Sequence, residues 1–278
     1  MTTPVSTAEL FEFDIKAVIQ LAKTAGDAIM AIYQRDFAIC DKADASPLTE
    51  ADLASHHCIV DGLAKLTPQI PVLSEESDAA VLEARVNWSR YWLIDPLDGT
   101  KEFIKKNGEF TVNIALIDQG EPLFGVVYAP ALDCLYWGGR DLGAFKQLAT
   151  APATTIQVAT PPADASGWRV VGSRSHQSEA FKTFVAGLEQ AEIVAMGSSL
   201  KLCLVAEGAA DIYPRLGLTS EWDTAAAQAV VEAAGGLVLE HPALTPLRYN
   251  SRPDTLLNPF FIVCAEKQPA WSEGLSSE

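Results

Sequence analysis

Apolar residues recur at Ile15, Val18, Ile19, Ala22, Ile29, Ile32 and Tyr33, the spacing of one helical face. They predict an amphipathic first helix from about Thr7 to Arg35. Thr49, followed three residues later by Asp52, is a capping-box pattern that starts a second helix, with Leu53, Val60, Leu63 and Leu66 as its apolar side. Pro68 and Pro71 end it, and Val72-Leu73 reads as a short strand running into Ser74-Glu75-Glu76. Tyr91-Trp92-Leu93-Ile94 is an unbroken apolar run, the pattern of a buried strand. It ends on Asp95-Pro-Leu-Asp98-Gly-Thr100, where Pro96 and Gly99 predict a turn. Phe110 to Ile117 then alternates around Val112, Ile114 and Leu116, and Gly120-Glu-Pro122 turns the chain into Phe124 to Tyr128. Cys134 to Trp137, a Gly138-Gly139 turn and Ala144-Phe145 predict another hairpin. This half reads as an antiparallel sheet preceded by two helices.

Ala149 to Gly167 is rich in Ala, Thr and Pro, and predicts a boundary between an α+β half, residues 1–150, and a second half, residues 151–278. Strands and helices alternate beyond it: Arg169 to Val171, a helix near Ser178 to Gln190, then Ile193 to Met196. Gly197-Ser198-Ser199 precedes a helical run from Leu200 to Glu207, followed by Asp211 to Pro214. A helix from about Thr224 to Ala234 stops at Gly235-Gly236, and strands follow at Leu237 to Leu239 and Phe260 to Cys264. This half reads as α/β.

The 278 residues are 49% hydrophobic, enough for one large domain or two intimately packed ones. Net charge is −16, from 36 acidic and 20 basic residues, which argues against nucleic acid as a partner, since such binding rests on Lys and Arg neutralising phosphates. A small phosphate ester stays open, because bound metals can reverse the local sign. Five widely spaced cysteines without a Cys-x-x-Cys pair fit free thiols in a reducing cytosol. The N-terminus lacks a signal-peptide layout and no stretch approaches about 20 apolar residues, so a cytoplasmic protein without a transmembrane segment is expected.

Charge and turn chemistry converge on the end of the Trp92 strand. Asp95 and Asp98, three residues apart on a rigid turn, can point at one spot, where they would repel and force one to hold a proton. A hard divalent cation removes that cost, and carboxylate plus carbonyl oxygens are what Mg²⁺ binds. Asp223 opens an Ala-rich helix, where capping is its ordinary role. Gly197-Ser198-Ser199 offers amides and hydroxyls to a phosphate, or a plain cap. His56 and His57 are adjacent on a helix and face different ways, which points to structural roles.

Asp95-Pro-Leu-Asp-Gly-Thr100, Trp222-Asp-Thr-Ala-Ala-Ala and Gly235-Gly236 together resemble the paired signatures of the inositol monophosphatase superfamily. The Lys101-Glu-Phe103 continuation, Gly197 to Gly208 and Tyr213-Pro-Arg-Leu-Gly217 are similar to the CysQ branch, the 3′(2′),5′-bisphosphate nucleotidases. The resemblance runs from the first helix to about Ala265. Leu218 departs from it, standing where the branch commonly has proline, beside Arg215.

The resemblance implies a layered αβαβα sandwich of α+β and α/β parts, the sugar-phosphatase fold, with the site between the halves. It implies two or three Mg²⁺ held by Glu75, Asp95, the Leu97 carbonyl, Asp98 and Asp223. Asp44 and Thr100 would orient the attacking water, with Glu75 near that water through its metal. Glu75, Leu97, Asp98, Gly99, Thr100 and Asp223 would line the substrate phosphate. Gly197, Ser198, Ser199, Lys201 and Arg215, with His176 as a further candidate, would face the nucleotide. The implied reaction is hydrolysis of adenosine 3′,5′-bisphosphate to AMP, linked to sulfate assimilation and sensitive to Li⁺, by a monomer or homodimer. A sibling phosphatase acting on inositol phosphates or fructose 1,6-bisphosphate is the alternative. Some members of the branch sit at the cytoplasmic face of the inner membrane, although a pI near 4.6 gives no electrostatic reason to adhere to anionic lipid.

Overall fold

In the computed structural model, residues 11, 13–37, 39–41, 47–162, 166–173, 178–268 and 271 are described. The chain runs α1 (Ile15–Tyr33), β1 (Ile39–Asp41), β2 (Pro47–Thr49), α2 (Glu50–Leu66), β3 (Val72–Ser74), α3 (Ala79–Ala84), β4 (Arg90–Asp98) and α4 (Thr100–Ile104). It continues through β5 (Thr111–Asp118), β6 (Glu121–Ala129), β7 (Cys134–Gly139), β8 (Gly143–Leu148), β9 (Thr154–Thr155), β10 (Arg169–Gly172), α5 (Glu179–Ala186) and β11 (Glu192–Ala195). The last elements are α6 (Leu200–Ala206), β12 (Ile212–Arg215), α7 (Ala225–Ala233), β13 (Leu237–Glu240) and β14 (Phe261–Cys264).

Strands β3 to β9 lie side by side in sequence order as one seven-stranded sheet. It is not purely antiparallel, because β3 pairs parallel to β4 with Ser74 opposite Ile94. The second sheet has the order β11-β10-β12-β14-β13. Three apolar cores join the layers. One packs Val18, Ala22, Ile29 and Leu63 of α1 and α2 against Trp92, Ile94 and Val126. The middle core packs the opposite face of that sheet, with Tyr91 and Leu93, on Cys203 of α6, Ala226 and Val230 of α7, and Val171 and Val263 of the second sheet. The third packs Phe181 of α5 against Val170, Ile212 and Ile262. The order is helix, sheet, helix, sheet, helix, the layered sandwich expected.

Three local expectations change. Helix α1 begins at Ile15, where Asp14 caps it by accepting from Lys16 N at 2.9 Å. In α2, Leu53 and Leu66 are about 40% exposed, at 41% and 39%, and the buried face is Ala51, Asp52, Ser55, Ile59 and Leu63. The two leucines lost to a stripe carrying polar groups, because that stripe turns toward the end of β4. Gly138 and Gly139 are strand residues, not a turn. A Cβ on Gly138 would lie 3.0 Å from Ala233 Cβ, and one on Gly125 would lie 2.2 Å from the Ala226 carbonyl oxygen. These glycines let α7 lie directly on the sheet, which brings the start of α7 to the end of β4.

Candidate active site

Strand β4 alternates, with Trp92 and Ile94 facing α1 and α2 and Tyr91 and Leu93 facing the middle layer. Asp95 continues the inward set. Three positions further, Asp98 should face the other way in a regular strand. It does not, because Asp95 pairs with Asn113 and Asp98 with Thr111, so β4 holds one residue more than β5 between them. This β-bulge contains Pro96, which has no N–H to lose from the ladder, and it restores Asp98 to the face of Asp95. What the sequence presents as a turn is a continued strand with a shifted register. The turn follows at Gly99, whose φ of +94° suits only glycine without strain.

Asp95, Asp98 and Asp223 offer ligand oxygens all within 4.8 Å of one another. Asp223 arrives from the short 3₁₀ turn ahead of α7, where its Oδ2 also accepts from Ser220 N at 2.8 Å. Glu75 directly follows β3, and its N–H donates to the Ile94 carbonyl at 3.2 Å, which places it beside Asp95. Asp95 is 1% exposed. Burial first, and the charges of Glu75, Asp98 and Asp223 second, hold its carboxyl well above the usual carboxylate range. Burial and Asp98 push Asp223 up to about 8. A donor set of carboxylates, too crowded to ionise fully alone, fits a hard divalent cation.

Thr100 Oγ1 is 3.3 Å from Asp52 Oδ1 and 3.4 Å from the Leu97 carbonyl oxygen. Asp44 and His176 lie outside the described residues. The acid brought against Thr100 is Asp52, 1% exposed, whose other oxygen closes the capping box by accepting from Thr49 N at 2.7 Å. From sequence Asp52 reads only as a cap; its burial on the helix face turned toward Thr100 appears only in the fold.

A cleft of about 190 Å³ opens beside these acids and is lined by Asp98, Gly99 and Asp223. Gly197, Ser198, Lys201 and Arg215 also line it. Burial pushes Lys201 below the usual lysine range, against the pull of Asp98. Arg215 Nη2 donates to the Leu218 carbonyl at 2.7 Å, while its buried Nε has no hydrogen-bond partner. Leu218 is thus exposed at its side chain and engaged at its backbone. Ser199 lies behind the ligands: its N–H donates to Asp98 Oδ2 at 2.6 Å, and its Oγ is 2.6 Å from that same oxygen and 2.8 Å from the Asp223 carbonyl. Two further acids line the cleft wall: Glu102, inside the Lys101-Glu-Phe103 continuation, and Glu109, which no motif signals.

The profile of the inositol monophosphatase family matches residues 11–272. The chain belongs to the inositol monophosphatase family. Within that family, a protein of Escherichia coli O6:H1 described as 3′(2′),5′-bisphosphate nucleotidase CysQ is 50% identical over 248 residues, 88% of this chain and 97% of the relative. A Haemophilus influenzae protein of the same description is 36% identical, covering 94% and 96%. Among solved structures, CysQ from Bacteroides thetaiotaomicron, described as a bacterial member of the family, aligns with TM-score 0.77 and 41% identity over 91% of this chain and 97% of that one. Among the described residues, no helix is long and apolar enough to cross a membrane.

Proposed function

We infer that this protein is a Mg²⁺-dependent phosphoric monoester hydrolase that removes the 3′-phosphate of adenosine 3′,5′-bisphosphate, giving AMP and phosphate. The observation that carries this reading is one cleft whose wall holds two acids of the all-oxygen cluster, Asp98 and Asp223, and two cations, Lys201 and Arg215. The activity named for relatives up to 50% identical supports the same choice.

Glu75, Asp95, the Leu97 carbonyl, Asp98 and Asp223 would hold two or three Mg²⁺. Bound there, the metals supply the Lewis acidity that acidifies water and neutralises the leaving oxygen. Thr100 Oγ1 donates its proton to Asp52, which leaves its lone pairs to accept from the attacking water. Asp52 thereby fills the place the family resemblance suggests for Asp44. Ser199 keeps Asp98 in its metal-facing orientation through two short hydrogen bonds. Lys201 and Arg215 hold the 5′-phosphate, Arg215 through directed N–H donors and Lys201 as a point charge. Gly197 and Ser198 lie along the same wall.

Inositol 1-phosphate has no second phosphate for the two cations to hold. A phosphate-release screen with Mg²⁺ over adenosine 3′,5′-bisphosphate, inositol 1-phosphate and fructose 1,6-bisphosphate tests the choice. The first should turn over with the highest kcat/KM; preference for either sugar phosphate would overturn the assignment. The reaction would clear a by-product of sulfate assimilation in the cytoplasm, carried out by a monomer or homodimer with Li⁺ as an inhibitor.

A further inference from the structure

Asp52, Ser55 and His56 stand at i, i+3 and i+4 of α2, one face of the helix. Each reaches a different segment of the acidic site. Asp52 meets Thr100 at the start of α4. Ser55 Oγ donates to the Pro96 carbonyl at 2.7 Å, in the middle of the β4 bulge. His56 Nδ1 is 2.9 Å from Ser74 Oγ, and that oxygen also accepts from Glu76 N at 3.2 Å, so the pair brackets Glu75. Ser55 and Ser74 are completely buried.

The bulge needs such a partner. It carries one residue without a place in the ladder, and its geometry alone decides whether Asp98 shares a face with Asp95. A buried carbonyl left without a donor would favour a slip toward regular pairing. Ser55 is the donor, placed there by the register of α2. The turn after β3 has the same dependence, since Glu75 follows a three-residue strand whose last side chain is Ser74.

We propose that Ser55 and His56 are positioning residues that hold the bulge and the Glu75 turn at metal-ligand spacing before a cation binds. The proposal rests on Glu75, Asp95, Asp98 and Asp223 being the metal ligands. A purely structural Ser55 would lower thermal stability and leave metal affinity intact in the folded protein. A positioning Ser55 weakens metal binding well below the unfolding temperature, because ligands that relax apart must be gathered again.

The test is calorimetric titration of the purified full chain with Mg²⁺ at a temperature where circular dichroism shows it folded. Ser55→Ala should weaken binding about tenfold or more, the usual effect of removing a residue that orients metal ligands. His56→Leu should weaken it as well, and His56→Asn, which returns a polar atom near the Nδ1 position, should recover much of the loss. Ile59→Val, on the same buried face one turn away, controls for loosened helix packing and should leave affinity unchanged. If Ser55→Ala does not fold, Ser55→Cys fills the same space with a poorer donor and should show the weakening. Equal affinity in wild type and a folded Ser55 variant overturns the proposal, as does an equal loss in Ile59→Val. Absence of Mg²⁺ binding in the unmutated chain would instead remove the metal-site reading beneath it.

Discussion

Metal binding to this protein should expel protons, and the number expelled should be countable. Burial and neighbouring acids hold Asp95 well above the usual carboxylate range and Asp223 at about 8. A cation takes only the ionised form, so near neutral pH it displaces the proton of Asp223, and one from Asp95 as far as that carboxyl still holds it. One displaced proton raises apparent affinity about tenfold per pH unit, so from pH 6 to 7.5 the gain is about 30-fold for one and about 1,000-fold for two. The rise levels off as pH passes the Asp223 value. Titration calorimetry with Mg²⁺ in two buffers of different ionisation enthalpy gives affinity and proton count together. The metal-free protein carries the matching signature in stability. A carboxyl raised from 3.8 to about 8 keeps its proton in the folded state while the unfolded chain has lost it. Stability contributed by that proton is therefore complete below about pH 4 and lost as pH rises toward 8, and saturating Mg²⁺ should flatten this slope. Affinity independent of pH from 6 to 8, with no protons released, would show the cluster fully ionised without a cation and refute the electrostatic reasoning.

Asp98→Asn keeps shape while removing a charge from the cluster; a folded protein with kcat lowered at least ~10²-fold is expected, and loss of less than about threefold would remove Asp98 from the metal site. Thr100→Ala and Asp52→Asn should each slow turnover with metal affinity nearly intact, and the double variant should be little worse than the singles because the pair acts as a unit. Loss of metal binding in Thr100→Ala would contradict that division of roles. Lys201→Ala and Arg215→Ala should each lower kcat/KM for the bisphosphate by ~1.5–3 kcal/mol, the range for hydrogen bonds to charged groups, with far smaller losses on inositol 1-phosphate. Equal losses on both substrates would show that the two cations maintain cleft shape instead of reading the second phosphate.

The layer order was legible because each layer writes its own period: helical spacing in α1, an apolar run in β4, strand–helix alternation after Gly167. Asp95, Asp98 and Asp223 were legible as residues, since motifs carry them, and Glu75 only as an acid directly after a strand, but the device that brings Asp95 and Asp98 together was not. Asp-Pro-Leu-Asp-Gly looks like a turn, and only pairing with Asn113 and Thr111 reveals the extra residue in β4. The buried face of α2 departs from the apolar pattern for a related reason. Leu53 and Leu66 outrank Asp52 and Ser55 on any hydropathy pattern, yet the polar pair is buried because Thr100 and Pro96 supply partners from distant sequence. Gly138-Gly139 looks like a turn in the sequence because a close helix approach and a turn both ask for glycine. Ser199 illustrates the limit of motif carry-over, since its hydroxyl and amide are occupied by Asp98 and it stands behind the cleft wall.

The most direct test of a metal-dependent 3′-phosphatase is product analysis of adenosine 3′,5′-bisphosphate incubated with the purified protein, with Mg²⁺ and after chelation by EDTA. With Mg²⁺ the products should be AMP carrying its phosphate at the 5′ position and one equivalent of free phosphate, and chelation should abolish both. Adenosine 3′-phosphate as the product would reverse the orientation assigned to Lys201 and Arg215, and undiminished turnover in EDTA would contradict the role given to Asp95, Asp98 and Asp223.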